Sequence, residues 1–263
     1  MMTITYEYEG ALYVNLTNKC NCNCEFCLRH GKAEGSIYTE DSLWLEREPT
    51  REEAMESFLS RDVCSYREIV FCGYGEPTYR LDDLLWLVDA LKARFGSKLP
   101  PVRINTNGHA NLIHGRNVIP ELKGRIDTLS ISLNSANAAD YVALCHPVQG
   151  EAAYQAMLDF AREAKDYVPN VVMTIVDKDK TPEEIQICKE IAAGLGVKLR
   201  IRSFTQQTDL GVRLKAGQHP GCVVVVKQLA AEFQIQLAVK SVDTLLDFLC
   251  LFFYINIIAE GCF

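Results

Sequence analysis

The sequence has no surplus of positive charge, no apolar run that would cross a bilayer, and no C-x2-C pair beyond its N-terminal loop. Each absence removes a class of function. A formal net charge of -7 argues against gripping a polyanion over a broad surface, so nucleic acid is a poor partner, although a local basic patch can still hold a phosphate. The apolar stretch 248–255 falls far short of the roughly 20 residues that a membrane helix requires, so no membrane partner is expected. The first nine residues have neither a basic start nor a long apolar run and do not read as an export signal. The 11 cysteines show no paired spacing outside one loop, which excludes a disulfide scaffold and makes a reducing cytoplasm the natural setting.

What the chain does have is a concentration of thiols: Cys20, Cys22, Cys24 and Cys27 fall within eight residues. They follow an apolar segment, residues 11–17, whose β-branched and aromatic side chains predict a strand. The cysteines therefore sit in a loop at a strand's end. Two metal sites can be drawn from them. Cys20, Cys24 and Cys27 form C-x3-C-x2-C, and three ligands from one loop can cap three irons of a cubane, leaving the fourth open to substrate or cofactor. A closed zinc site wants four ligands, usually as two separated pairs. Cys22 could supply the fourth, although alternate residues on so tight a loop do not easily all face one ion.

With 48% apolar residues over 263, the chain can bury one sizeable core, and a single domain is expected. Residues 31–48 read as polar and irregular, and a helix with acidic residues in its first turn runs to about residue 61. A short apolar run, 68–72, stops at a turn containing Gly73, Tyr74, Gly75, Glu76 and Pro77. Read by itself, this is an ordinary strand-to-helix turn, in which the glycines also permit close approach of a ligand. The apolar spacing of Leu81, Leu84, Leu85, Val88 and Leu91 predicts a helix over 81–95 closed by Gly96. A third strand runs into Asn107-Gly108, a pair that turn chemistry alone explains. A fourth spans 125–134 and carries Ser132 and Asn134 at its end. Helices over 138–145, 154–166 and 181–195 alternate with strands over 170–176 and 196–203. Six strand-then-helix units in a row favour a parallel sheet with right-handed crossovers.

The C-x3-C-x2-C loop after the first strand, with the aromatic Phe26 before its last cysteine, resembles the hallmark of the radical S-adenosylmethionine (SAM) superfamily. The Gly-x-Gly-Glu-Pro turn, the Thr-Asn-Gly turn and the Ser/Asn strand end occur in the matching order. More narrowly, residues 15–29, 71–78 and 103–117 look like stretches of the small TatD-associated radical SAM proteins. The resemblance implies an α/β fold, an open partial (β/α)6 TIM-like barrel with parallel strands over 1–204. A short C-terminal α/β extension over 205–263 is expected to pack on the same domain. It implies an enzyme whose 4Fe-4S cluster, held by Cys20, Cys24 and Cys27, cleaves SAM reductively to make a 5′-deoxyadenosyl radical. An electron donor such as flavodoxin or ferredoxin is then needed.

In the same reading Gly73, Tyr74 and Gly75 (through their backbone) and Glu76 (through its carboxylate) would take the ammonium group of SAM. Asn107 would stand on the cofactor side, and Ser132 and Asn134 would meet its ribose or carboxylate. Arg200 and Arg202, then His114 and Arg116, are candidates for an unnamed small-molecule or protein substrate. The competing expectation is a non-catalytic zinc- or cluster-binding interaction module. A radical SAM fold that activates another protein is a third.

Overall fold

The computed structural model describes residues 2–27, 29 and 43–202. The extension expected over 205–263, including its helix over 223–233, its strand over 234–239 and its apolar stretch 248–255, lies outside the described residues, as does 31–42. Seven strands form one sheet: β1 (Thr5–Tyr8), β2 (Ala11–Val14), β3 (Ile69–Phe71), β4 (Val102–Thr106), β5 (Thr128–Ser132), β6 (Asn170–Val176) and β7 (Lys198–Arg202). They lie side by side in chain order. From β2 to β7 every neighbouring pair is parallel. The helices of the crossovers are α1 (Arg51–Leu59), α2 (Leu81–Phe95), α3 (Ala110–His114), α4 (Ala138–Cys145), α5 (Ala152–Ala164) and α6 (Pro182–Leu195).

Local chemistry sets the ends of these elements. Thr50 with Glu53, and Thr181 with Glu184, form reciprocal capping boxes at the starts of α1 and α6. Gly196, in the left-handed region at φ 72°, ends α6.

The register divides the sheet into two unlike faces. One row runs Leu12, Ile69, Val102 and the next Val14, Phe71, Ile104, Leu129, Val171. These side chains join Leu84 and Val88 of α2 and Met157 and Phe160 of α5 in the hydrophobic core. Burying each large one contributes about 1.5–3 kcal/mol. The alternate positions make the other face: Tyr13, Val70, Arg103 and Thr128 in one row, Asn105 and Ser130 in the next, then Ser132, Thr174 and Arg200. That face is polar.

One strand was not anticipated. β1 is antiparallel to β2, joined through Glu9 and Gly10, whose φ values of 49° and 72° suit a two-residue hairpin turn. Tyr6 and Tyr8 pack on Tyr13 with ring centroids 5.3 and 5.8 Å away, so cross-strand aromatic contact stabilises a segment that carries little apolar signal of its own. β1 and β7 are the edges of the sheet, which does not close on itself among the described residues. No helix among those residues is long and apolar enough to cross a membrane.

Candidate cluster and cofactor site

The cysteine loop leaves the C-terminal end of β2 and is fastened by backbone bonds on two sides. Asn23 N–H donates to Cys145 O (2.9 Å), and Glu25 N–H to Leu144 O (3.0 Å). These are carbonyls of the last turn of α4, which have no partner inside the helix. On the other side Glu76 N–H donates to Lys19 O (2.8 Å), joining the loop to the turn after β3.

Cys20, Cys24 and Cys27 are free and partly exposed, whereas Cys22 is buried. A hydrogen bond from Cys22 lowers the pKa of Cys20. Hydrogen bonds from Cys145, then from Cys22, pull the pKa of Cys24 down to about 4, which favours its thiolate form. Cys22 and Cys145 are correspondingly held as neutral thiols, raised first by those same bonds. Burial pushes Cys27 up. Thiolates are the metal-binding form of cysteine, so a preformed one fits the donor set of a cluster. Among the described residues no three His, Cys, Asp or Glu side chains converge on one ion-sized point. Three thiolates that each cap a different iron of a cubane do not need to.

The Cys22 thiol points into a buried polar nest that sequence patterns did not reveal. Its sulfur lies 3.5 Å from Asn107 Nδ2 and 3.8 Å from His109 Nδ1. Asn107 Nδ2 donates to Asn21 Oδ1 (2.7 Å), and Asn21 Nδ2 in turn to His109 Nδ1 (3.0 Å). An imidazole nitrogen that accepts from an amide belongs to a neutral ring, with its proton on Nε2, which faces Tyr141 Oη at 3.2 Å. Burial lowers the His109 pKa to about 4. Asn107 Oδ1 accepts from its neighbour His109 N–H (3.0 Å). Asn107 thus helps to order the cysteine loop through its amide.

The turn after β3 is packed closely against the entry to the cysteine loop. A β-carbon on Gly73 would overlap the Asn15 side chain, and one on Gly75 would overlap the carbonyls of Thr17 and Lys19. The space left by both glycines is filled by the protein's own loop entry. Glu76 is 4% exposed. Its Oε1 accepts from Thr78 N–H (3.1 Å), Thr78 Oγ1 (2.7 Å) and Thr106 Oγ1 (2.8 Å), while Oε2 accepts only from Asn107 N–H (2.7 Å). Burial raises its pKa in spite of these donors. No cation among the described residues pairs with it, and Oε2 has room for one more donor.

Beyond the ends of β5 and β6 lies a cavity of about 270 Å³, lined by Phe26, Asn134, Ser135, Lys180 and Glu184 among others. That is near the lower bound of ordinary ligand pockets, about 300 Å³. Asn134 holds a left-handed backbone at φ 58°. Its Oδ1 and the Ser135 hydroxyl are buried without a hydrogen-bond partner. Ser135 was not singled out in the sequence; nothing in its neighbours marks it. Ser132, at the end of β5, stands on the polar face of the sheet. Two of the substrate candidates are committed elsewhere: His114 Nε2 faces Thr78 O at 2.7 Å, and Arg116 pairs with Glu121 on the surface.

Comparison with known proteins accords with this arrangement. The model of the radical SAM superfamily matches residues 14–191. A GTP 3′,8-cyclase of Corynebacterium glutamicum is 32% identical over 138 residues, which is 51% of this chain and 33% of that protein. The crystal structure of Streptococcus suis SuiB bound to its precursor peptide SuiA superposes with a TM-score of 0.55 at 12% identity, covering 76% of this chain and 40% of SuiB. SuiB bound to S-adenosylmethionine gives a TM-score of 0.52 at 13% identity, covering 74% and 40%. The chain thus spans about a third of the curated relative and two fifths of SuiB, and the SuiB likeness is one of fold. From the matched span, which holds the cysteine loop, the Gly-x-Gly-Glu-Pro turn and most of the sheet, it follows that the chain is an enzyme of the radical SAM superfamily.

Proposed function

We propose that Cys20, Cys24 and Cys27 hold a 4Fe-4S cluster, that SAM binds beside it, and that the protein uses both to abstract hydrogen from a substrate. When bound and reduced, the pair supplies one-electron cleavage of SAM to methionine and a 5′-deoxyadenosyl radical. The chain's own residues bind and orient. Glu76 Oε2, with the carbonyls of the Gly73, Tyr74 and Gly75 turn, takes the ammonium group of SAM, which supplies the positive charge that this buried carboxylate lacks. The ribose and adenine side lies over Ser132 and in the cavity of Phe26, Asn134 and Ser135, where the two orphaned oxygens gain partners. Asn107 keeps the thiols in place from behind. An electron donor such as flavodoxin or ferredoxin completes the reaction.

The observation that carries this reading is the three-cysteine loop inside the family match, open beside a cavity with unsatisfied polar groups. The likeness to the cyclase covers too little of that protein to bring its substrate over. The test is anaerobic reconstitution with iron and sulfide, reduction with dithionite, and mass spectrometry of the products of SAM. A brown protein that forms 5′-deoxyadenosine is expected. A colourless zinc protein that leaves SAM intact would overturn the reading and favour a closed four-thiol site.

A further inference from the structure

The polar face of the sheet carries three arginines that the cluster and SAM do not use. Arg103 lies on the central strand β4, and Arg200 and Arg202 on the edge strand β7. Charges on an edge strand often serve only to block pairing with another chain, and they then point to solvent. Arg200, although exposed, reaches back over the sheet: its Nη2 donates to Ser130 Oγ at 3.1 Å, two strands inward. Arg103 forms an ion pair with Glu68 (3.2 Å), yet its Nε is buried with no hydrogen-bond partner. Asn105, one position along the same face, has a buried Oδ1 that also lacks one. Among the described residues Arg200 and Arg202 form no ion pair, and Glu68, the partner of Arg103, is shared with Arg67 (3.6 Å). Burial, then the charges of Arg103 and Arg202, lowers the pKa of Arg200, against a smaller opposing effect of Glu68. The group is continuous with the site already described: Cys72, immediately before Gly73, feels Arg202, Arg103 and Glu76 together.

We propose that this face is the substrate site, and that its substrate is an anionic small molecule whose phosphate or carboxylate is gripped by Arg103, Arg200 and Arg202. Planar guanidiniums match both groups by paired N–H···O bonds, and an oxyanion would relieve the repulsion among them. The placement puts the rest of the substrate toward the C-terminal ends of the strands, below the Gly73 turn. What then happens to the substrate rests on the radical-enzyme reading; its binding does not.

The test is calorimetric titration of the full-length, anaerobically reconstituted protein with pyrophosphate and, separately, malonate. Saturable binding of at least one probe is expected; pyrophosphate alone assigns a phosphate, and malonate alone a carboxylate. Arg200→Gln and Arg103→Gln should each weaken it about ten- to a hundredfold, the loss expected for a charge-assisted hydrogen bond. Arg116→Gln, on the surface, should change nothing. Arg200 is exposed, so its variant reports even where Arg103→Gln fails to fold. Binding of neither probe, or affinities in Arg200→Gln equal to those of the parent, would overturn the proposal. Formation of 5′-deoxyadenosine by the unsubstituted protein in the same preparation reports the radical reading separately.

Discussion

Cys22 and Glu76 show how residue types are legible while their partners are not. The spacing of the loop singled out Cys20, Cys24 and Cys27, but only the fold shows that Cys22 turns toward Asn107 and His109, more than 80 positions along the chain. Cys22→Ser should keep most of the iron and of SAM cleavage at a cost of about 1 kcal/mol in stability, whereas Cys20→Ser, Cys24→Ser and Cys27→Ser should lose both. Iron and sulfide assays with product analysis decide; equal loss in all four would make the site a closed one. For Glu76, alanine would strand four donors around a buried gap, and a stability loss of about 3 kcal/mol or more is expected. Glu76→Gln keeps the shape and removes the charge, so it isolates the cofactor role: SAM affinity should fall about ten- to a hundredfold. Unchanged affinity in that variant would leave Glu76 a purely structural group. His109 gives a pH signature. Its folded pKa of about 4 lies below the unfolded value, so the unfolded chain binds the extra proton as pH falls and stability is lost between about 6.5 and 4. Denaturant unfolding of the metal-free protein should show about 2 kcal/mol less stability at pH 5 than at pH 7. His109→Gln should remove that part of the slope.

At the scale of elements, strands β2 to β7 and helix α2 were readable because each couples a clear apolar period to a turn or cap residue. β1 was not, since tyrosines and glutamates alternate there and its stability comes from Tyr13 on the next strand. The nest around His109, the thiol of Cys145 and the orphaned hydroxyl of Ser135 escaped for a related reason: they arise where separate crossovers meet, and no local pattern encodes them. The glycines of the turn after β3 were read as room for a ligand, but the room is taken by Asn15 and by the carbonyls of Thr17 and Lys19. Gly75→Ala should therefore displace the cysteine loop. A loss of about 2–4 kcal/mol is expected, with faster alkylation of the loop thiols. Gly115→Ala is the contrast, because its β-carbon would meet nothing and only the left-handed backbone at φ 62° resists, at about 1 kcal/mol. Equal effects of the two on thiol reactivity would show that Gly75 has no special part in holding the loop.

For the whole molecule, every cluster and cofactor residue assigned here lies within residues 20–135. The stretch 205–263 is proposed as an addition outside the chemistry, so a chain ended after Gln206 should keep its iron content and lose solubility. A soluble truncation that held iron but no longer cleaved SAM would give the extension a catalytic part. The sheet has a further consequence, for synthesis. Because the strands lie side by side in the order of the chain, each emerging strand finds its partner already in place, and folding can keep pace with the ribosome from the N-terminal end. The thiol loop, residues 20–27, is made well before the groups that fasten it: Glu76, then Asn107 and His109, and last the carbonyls of Leu144 and Cys145. During translation those thiols stay open to a cluster-delivery protein and to oxidants alike, and the window closes only when α4 has emerged and docked.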